Sequence, residues 1–203
     1  MAGAATPVGD PPVTVLCERI TALRTAAQTP VLVALDGRSG AGKSTLAGQV
    51  GVQVGALVID GDDFYRGGTD AYWDALGPAD KMDLAIDWER QRSLLEQLRR
   101  GETVTWQPYD WDADDGRLGA PVTAGPAAAV LLNGAYSARP ELSDLYSQRV
   151  LLTVPRDVRR ARLLRREGER YRAEWEARWA EAEDLYFDVL MPPAVFDLVL
   201  EGT

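Results

Sequence analysis

Residues 31–45 read VLVALDGRSGAGKST, an apolar run followed directly by a glycine-rich loop. The loop from Gly37 to Ser44 has the spacing G-x-x-x-x-G-K-S, which is the phosphate-binding P-loop pattern. Its glycines let the backbone curl, so that successive N–H groups point at one phosphate, and the helix that starts near Lys43 adds its positive dipole end. The stretch therefore predicts a buried strand, a nucleotide-binding loop and a helix, in that order.

The residues of this loop have distinct expected roles. Lys43 is one of only two lysines beside 20 arginines, and it should reach the β- and γ-phosphates of the nucleotide. The Ser44 hydroxyl should face a magnesium ion. ATP and Mg2+ are thus the predicted cofactors. The residues expected to contact the nucleotide are Gly37, Ser39, Gly40, Ala41, Gly42, Lys43, Ser44 and Thr45.

The composition restricts the partners and the chemistry. At 203 residues the chain has the size of one ordinary domain. Its net charge of −9 argues against general nucleic-acid binding, and no apolar run reaches the length of a membrane span. A single cysteine suits a reducing compartment, so we expect a cytoplasmic protein with a small-molecule partner; the sequence leaves homo-oligomer formation open. Histidine is absent, so a general base near neutral pH is expected to be a carboxylate.

Strands and helices alternate along the chain, which indicates a parallel sheet with helices on both faces, the three-layer α/β fold of P-loop NTPases. Residues 1–12 read as a flexible tail, without the basic and apolar segments of a secretory signal. Residues 13–203 read as a single domain, with a loop at 67–83 and a β-hairpin excursion at 102–125. Further strands are expected at 57–60, 128–132, 150–154 and 196–200, and helices at 13–27, 43–54 and 87–101, after Pro155, and at 169–190.

Three aspartates follow the second predicted strand. Parallel sheets bind ligands at the carboxyl ends of their strands, so Asp60, Asp62 and Asp63 should lie near the P-loop. A phosphoryl acceptor hydroxyl needs a carboxylate within hydrogen-bond reach to orient it and take its proton. Asp62 suits that role, with Asp60 near the water shell of the magnesium ion. The alternative is an acidic turn that only ends a strand.

Two other groups of residues allow two interpretations each. Phe64 and Tyr65 can stack on a flat substrate ring or belong to the core, and the aromatic residues of 106–111 can form a base-stacking wall or a small separate hydrophobic cluster. Arginines recur three and four residues apart over 156–172, so they share a helix face. That face can neutralise charge on a transferring phosphoryl group or remain a solvated surface.

The order and spacing of these motifs resemble the uridine kinase and phosphoribulokinase-like group of P-loop kinases, from about residue 30 to residue 170. Thr153-Val154-Pro155 with the arginines that follow, and the doubled Asp62-Asp63, also look like nicotinamide riboside kinase. The resemblance implies a kinase-like fold with a lid helix over 156–172. It rests on the P-loop, the arginine-rich helix, Asp62-Asp63-Phe64-Tyr65-Arg66, Asp87-Trp88, Pro108-Tyr109-Asp110-Trp111 and Val130-Leu131-Leu132-Asn133-Gly134.

The resemblance also implies roles for single residues. Asp62 is implied to be the catalytic carboxylate, Asp87 to contact substrate hydroxyls and Tyr109 to lie near the base of the substrate. Arg162 and Arg166 are implied to belong to a mobile lid. The expected catalytic residues are thus Asp62, Lys43, Arg162 and Arg166; the expected substrate-binding residues are Asp62, Phe64, Tyr65, Asp87 and Tyr109; the expected metal-binding residues are Ser44 and Asp60.

Two departures from the family pattern bear on function. Uridine kinases carry a glutamate at the end of the third strand, where this chain has Asn133, and their histidine-containing motif after the aromatic segment is replaced by Asp112-Ala113-Asp114-Asp115. The leading hypothesis is an ATP-dependent kinase that phosphorylates a hydroxyl of a nucleoside-like substrate. The alternative is a catalytically degenerate or regulatory ATP-binding protein. A GTPase switch and a transporter-type ATPase are excluded, because the chain lacks Asn-Lys-x-Asp and Leu-Ser-Gly-Gly motifs.

Overall fold

The central sheet places the P-loop strand in its middle. The structure, a computed structural model, describes residues 11–168 and 173–202. Five strands form one parallel sheet in the order β2-β5-β1-β6-β7, and a separate antiparallel hairpin pairs β3 with β4. The strands are β1 (Val31–Asp36), β2 (Leu57–Asp60), β3 (Val104–Trp106), β4 (Val122–Ala124), β5 (Ala129–Asn133), β6 (Gln148–Thr153) and β7 (Leu198–Glu201).

Helices cover both faces of this sheet. The helix after the P-loop begins at Lys43, where the sequence predicts it. Asp87 caps the helix that follows it, since its side chain accepts a hydrogen bond from the Arg90 N–H. The helices are α1 (Pro12–Ala26), α2 (Lys43–Val54), α3 (Asp70–Asp74), α4 (Pro78–Leu84), α5 (Trp88–Arg99), α6 (Arg156–Glu167) and α7 (Ala173–Leu185).

The side chains of β1 show why the fold has three layers. All six residues of β1 are buried. Successive side chains of a strand point to opposite faces. Val31, Val33 and Leu35 accordingly pack into an apolar cluster with residues of α1 and α2, whereas Leu32 and Ala34 pack into a second cluster with residues of α5 and the aromatic segments. A strand that is apolar on both faces fits the middle of a parallel sheet, and the predicted three-layer α/β fold is confirmed.

Several boundaries differ from the predicted ones. Residues 67–83, expected to form a loop, contain α3 and α4, because Thr69 caps α3 and Trp73 anchors it in the core with 1% exposure. The helix expected at 169–190 is α7 followed by one π-helical turn, Tyr186–Leu190, and residues 169–172 lie outside the described part. Residues 1–10 of the expected tail also lie outside it. Among the described helices none has the length and apolarity that a bilayer crossing requires.

Candidate active site

A cavity of about 980 Å3 opens at the carboxyl ends of the parallel strands. The P-loop and α2 form one wall, and the arginine-rich helix α6 lies over the loop. The cavity is also lined by Asp60 at the end of β2, by Asp62 just after that strand, and by Gly134 just after β5. The register pairs Asp60 with Asn133 and Leu35 with Asn133, so the three strand ends meet. The convergence that the parallel topology predicts is therefore present.

The P-loop closes on itself around the Lys43 side chain. Lys43 Nζ donates hydrogen bonds to the carbonyl oxygens of Gly37 (2.6 Å) and Arg38 (3.2 Å). Gly40 has a φ of +77°, and a Cβ there would lie 2.6 Å from the Arg159 carbonyl oxygen. Only glycine tolerates both the positive φ and this close approach. The loop is thus packed against α6 with its lysine held inside it.

Arginines of α6 are bonded to the P-loop backbone. Arg162 donates to the Ala41 carbonyl oxygen at 2.8 Å, and Arg159 donates to the Ser39 carbonyl oxygen at 3.1 Å. Arg166 lines the same cavity. Burial lowers the pKa of Arg159, but arginine keeps its charge under all ordinary conditions. The two interpretations of the arginine-rich stretch each describe part of α6: Arg159 and Arg162 are half-buried against the loop, whereas the other arginines of the helix that line the cavity, Arg156, Arg160, Arg165 and Arg166, are exposed.

The aspartates after β2 occupy different environments. Asp62 is exposed and lines the cavity, whereas Asp63 accepts a hydrogen bond from Trp106 Nε1 at 2.8 Å. Asp60 accepts from the Asp62 N–H at 3.1 Å. Burial, and the nearby negative charges of Asp62 and Asp63, raise the pKa of Asp60 to about 6, against the attraction of Lys43. This cost of a negative charge at Asp60 falls when a cation binds beside it.

The residues present fit a magnesium ion shared with nucleotide phosphates. Ser44 and Asp60 line the same cavity, and a hydroxyl and a carboxylate are ligands that Mg2+ accepts. The Asn133 amide donates to the Ile59 carbonyl oxygen at 3.2 Å, while its own oxygen is buried and finds no hydrogen-bond partner among the described residues. Within those residues no group of three or more His, Cys, Asp or Glu side chains could hold a metal by itself. Phosphates and water would complete the shell.

Aromatic side chains surround the part of the cavity beyond the aspartates. Tyr65 stacks on Trp111 with ring centroids 4.9 Å apart and an interplanar angle of 17°. Tyr109 packs edge-on against both rings, and Trp179 of α7 packs edge-on against Tyr65. Trp111 is 46% exposed and lines the cavity. Of the aromatic residues of 106–111, Trp106 and Tyr109 thus belong to the main core, whereas Trp111 is half-exposed at the cavity.

Helix α7 places acidic side chains on the P-loop. Glu183 Oε1 accepts hydrogen bonds from the Ser39 N–H at 2.9 Å and from the Ser39 hydroxyl at 2.5 Å. Arg38 forms ion pairs with Asp184 and, at 2.8 Å, with Asp188. Glu183 is 5% exposed, so its carboxylate fills space beside the loop. A negative group is therefore already bound to donors of the predicted phosphate site.

The predicted site residues divide into two sets. Phe64 is 1% exposed and lies in the core, and Asp87 uses its carboxylate to cap α5, so the structure places neither on the cavity. Tyr109 is buried behind Tyr65 and Trp111, and Gly37 forms the turn into the loop. No described contact tests these four assignments, which stay predictions. The cavity is lined by the remaining predicted residues, Ser39, Gly40, Ala41, Gly42, Lys43, Ser44, Thr45, Asp60, Asp62, Tyr65, Arg162 and Arg166.

Among the cavity residues that were not predicted site residues are Trp111, Tyr136, Trp179 and Glu183. Trp111 lies in the aromatic segment 106–111, for which the sequence allowed either a base-stacking wall or a small separate hydrophobic cluster. Tyr136 follows the end of β5 by three residues, and this position after a strand end is a signal that could have identified it. Trp179 and Glu183 lie on a charged helix whose inward face is set by tertiary packing alone.

Comparisons with known proteins agree with this architecture. No protein-family model matches the chain. A curated relative, uridine kinase-like protein 3 from Arabidopsis thaliana, is 26% identical over 144 residues, which cover 68% of this chain. The chain spans 31% of the length of that relative.

Two solved structures share the fold across almost their whole length. A protein provisionally described as a uridine kinase, from Bacillus stearothermophilus, has a TM-score of 0.73 at 21% identity, over 93% of this chain and 96% of that chain. A protein provisionally described as a fructose transport system kinase, from Silicibacter sp. TM1040, has a TM-score of 0.70 at 24% identity, over 94% and 100%. The resemblance to the uridine kinase and phosphoribulokinase-like group is confirmed.

Proposed function

We propose that the protein is an ATP-dependent small-molecule kinase that transfers the γ-phosphate to a hydroxyl of a nucleoside-like acceptor. One observation carries the proposal: Lys43 of the P-loop and the carboxylate of Asp62 line one cavity. Phosphoryl transfer needs a phosphate site and a carboxylate for the acceptor within one enclosed space. ATP is proposed as donor from the resemblance to uridine kinases. We place the activity in the cytoplasm, with a small molecule as substrate and homo-oligomer formation left open.

The nucleotide end acts through positioning and charge. Backbone N–H groups of residues 40–45 and the start of α2 bind the phosphates, and Lys43 exchanges its loop carbonyls for the β- and γ-phosphate oxygens. Arg162 and Arg166 neutralise the charge that develops on the transferring group. Ser44 would ligate Mg2+, and Asp60 would hold its water shell. The ion, when bound, offsets negative charge on the phosphates.

Asp62 handles the proton of the acceptor. Its carboxylate accepts a hydrogen bond from the acceptor hydroxyl and takes the proton as the oxygen attacks the γ-phosphorus. The new bond joins that oxygen to phosphorus, the bond from phosphorus to the β–γ bridging oxygen breaks, and ADP leaves with the electron pair. Asp63 does not compete for this role, because Trp106 binds its carboxylate outside the cavity. The products are ADP and a phosphate monoester.

The acceptor end supports a flat, hydroxyl-bearing substrate. The exposed side chain of Trp111, stacked on Tyr65, offers an aromatic surface beside Asp62. A ring that stacks on Trp111 gains apolar contact, and a hydroxyl on the same molecule can reach the carboxylate. A nucleoside combines both features. The names of the relatives include a nucleoside and a sugar, and both classes belong in the acceptor test.

The alternative is an ATP-binding protein without turnover. It is favoured by Asn133, which stands where similar kinases have a glutamate, so that the end of β5 offers magnesium only a neutral oxygen. The discriminating experiment measures ADP release from ATP and Mg2+ with a panel of ribonucleosides, deoxyribonucleosides and sugars. We expect at least one acceptor to stimulate ADP release and to appear as its monoester by mass spectrometry. ATP binding with no stimulation by any member would favour the degenerate protein.

A further inference from the structure

Among the described residues that line the cavity, Tyr136 is the one residue other than glycine with a positive φ. Its φ is +67°, in the left-handed region that only glycine and a few small polar residues enter easily. A bulky residue stays in such a conformation only when its surroundings enforce it, and such residues concentrate at functional sites. The side chain is 5% exposed and lines the cavity.

A buried network enforces this conformation. The Tyr136 N–H donates to Asp36 Oδ1 at 3.0 Å, and the Tyr186 hydroxyl donates to Asp36 Oδ2 at 2.8 Å. The Tyr186 ring packs edge-on against the Tyr136 ring with centroids 4.9 Å apart. Asp36 is fully buried at the end of β1 and also accepts from the Gly37 N–H and the Ala138 N–H. The tyrosine is therefore fixed to the strand that carries the P-loop.

The Tyr136 hydroxyl takes no part in this hydrogen-bond network. It is buried and has no hydrogen-bond partner among the described residues, which costs free energy in the ligand-free protein. Burial, and the negative charges of Glu183, Asp36 and Asp62, raise the pKa of the phenol well above its usual range. It therefore stays protonated at neutral pH and is available as a donor rather than as a base.

The carboxylate of Glu183 indicates which kind of group the Tyr136 hydroxyl can meet in the cavity. Glu183 is bound to the N–H and the hydroxyl of Ser39, two donors at the rim of the P-loop. A carboxylate and a phosphoryl group present similar oxygens to such donors. Glu183 also acts on Tyr136 through its charge. Tyr136, Ser39 and Glu183 line the same cavity, so an anion held at Ser39 shares this space with a phenol that has no hydrogen-bond acceptor among the described residues.

We propose that Tyr136 is a further catalytic residue, whose hydroxyl donates a hydrogen bond to the transferring phosphoryl group in the place that the Glu183 carboxylate fills in the free protein. The phosphoryl group displaces Glu183 from Ser39 and opens the way to the phenol. The preorganised donor then meets charge that grows during transfer, which is where a fixed hydrogen bond accelerates a reaction most. This role rests on the proposed kinase function.

The test compares Tyr136→Phe with Tyr146→Phe, which removes a buried hydroxyl that does have a partner, the Ser137 carbonyl oxygen at 2.7 Å. The probes are ADP and ADP with aluminium fluoride, a mimic of the transferring group, both with Mg2+. We expect Tyr136→Phe to weaken the fluoride complex about 10²-fold and leave ADP affinity within about twofold. Its Tm should not fall, whereas Tyr146→Phe should lower Tm by about 2–4 °C without affecting either affinity.

Other outcomes would separate the two proposals. Equal fluoride-complex affinity in wild type and Tyr136→Phe, with wild type preferring that complex over ADP, would overturn the role of Tyr136 and leave the kinase proposal standing. A wild type that binds ADP but gains nothing from fluoride would count against phosphoryl transfer itself. Glu183→Gln, which removes the resident charge, should tighten ATP binding several-fold. Weaker ATP binding in that variant would contradict the stand-in role of the carboxylate.

Discussion

The two ends of the cavity are built in different ways. The nucleotide end consists of one continuous loop, backbone N–H groups and cations whose donors are already occupied: Lys43 binds the Gly37 carbonyl and Arg162 the Ala41 carbonyl. The acceptor end consists of side chains from separate elements, namely Asp62, Trp111 and Trp179. On the proposed function, the residues of the first end contact the phosphates of the nucleotide. The second end must supply the choice of acceptor, so substitutions at the two ends should have different kinetic signatures.

The largest effect is expected at the acceptor end. Asp62→Asn should lower kcat about 10²–10⁴-fold, because the chain has no histidine to replace the base. ATP affinity should change little, since Asp62 is not part of the P-loop. The measurement is steady-state ADP release with the best acceptor of the panel, with ATP affinity from calorimetry.

Asp63→Asn is the matched control for Asp62→Asn. It replaces the charged acceptor of the Trp106 hydrogen bond with a neutral amide oxygen and should lower the free energy of unfolding by at most about 1 kcal/mol, with little change in kcat. If Asp63→Asn abolished turnover and Asp62→Asn did not, the two roles would have to be exchanged.

The nucleotide end should respond next. Lys43→Ala removes the cation that meets the β- and γ-phosphates and should lower kcat about 10²–10³-fold for every acceptor alike. Because Lys43 also ties the loop carbonyls together in the free protein, circular dichroism should first show an intact fold. Undiminished turnover in the folded variant would contradict a P-loop kinase.

A smaller loss is expected from the helix over the loop. Arg162→Ala should lower kcat about 10–10²-fold and weaken ground-state ATP binding less, because the developing charge is what the guanidinium meets. Arg24→Ala is the matched control: Arg24 also donates to a backbone carbonyl, that of Val54 at 2.7 Å, but lies outside the cavity. Equal kinetics for the two variants would contradict a catalytic role of Arg162 and would mean that α6 only covers the loop.

The smallest effect concerns the boundary between the two ends. Asp60→Asn should raise the Mg2+ concentration for half-maximal rate about tenfold, because groups that hold metal-bound water contribute on that scale. The rate at saturating Mg2+ should recover most of its wild-type value. Asp83→Asn, a change at an exposed carboxylate paired with Arg139, provides the control. A magnesium dependence that is the same in Asp60→Asn and wild type would remove Asp60 from the metal site.

The sequence predicted the nucleotide end far better than the acceptor end. The prediction for residues 31–54 rests on neighbouring residues alone. An apolar strand, a glycine spacing and a helix start together determine the backbone of the P-loop. The parallel topology also predicted that Asp60 and Asp62 lie at the same edge of the sheet as the P-loop, and both line the cavity there. These predictions need periodicity and loop chemistry, both of which are written in contiguous residues.

The acceptor end depends on packing that contiguous residues do not encode. Phe64 and Tyr65 are neighbours that both pack in the same buried cluster, yet only Tyr65, directly after the short 3-10 turn Gly61–Phe64, also lines the cavity. Asp87 caps α5 through its Oδ1 and does not line the cavity, so its contact with substrate hydroxyls stays a prediction. Trp179 faces the cavity because Arg178 pairs with Asp70 and Asp74 of α3, an arrangement that joins segments about a hundred residues apart.

Helix α7 touches both ends at once, through Glu183 on Ser39 and through Trp179 beside Tyr65. On the proposed function, a nucleotide that removes Glu183 from the loop also shifts the helix that carries Trp179, and the two binding equilibria are then linked. Linkage of this kind is reciprocal: the factor by which ATP changes the dissociation constant of the acceptor equals the factor by which the acceptor changes that of ATP. Neither ligand then has a single affinity for this protein, since each has one value alone and another in the presence of the other.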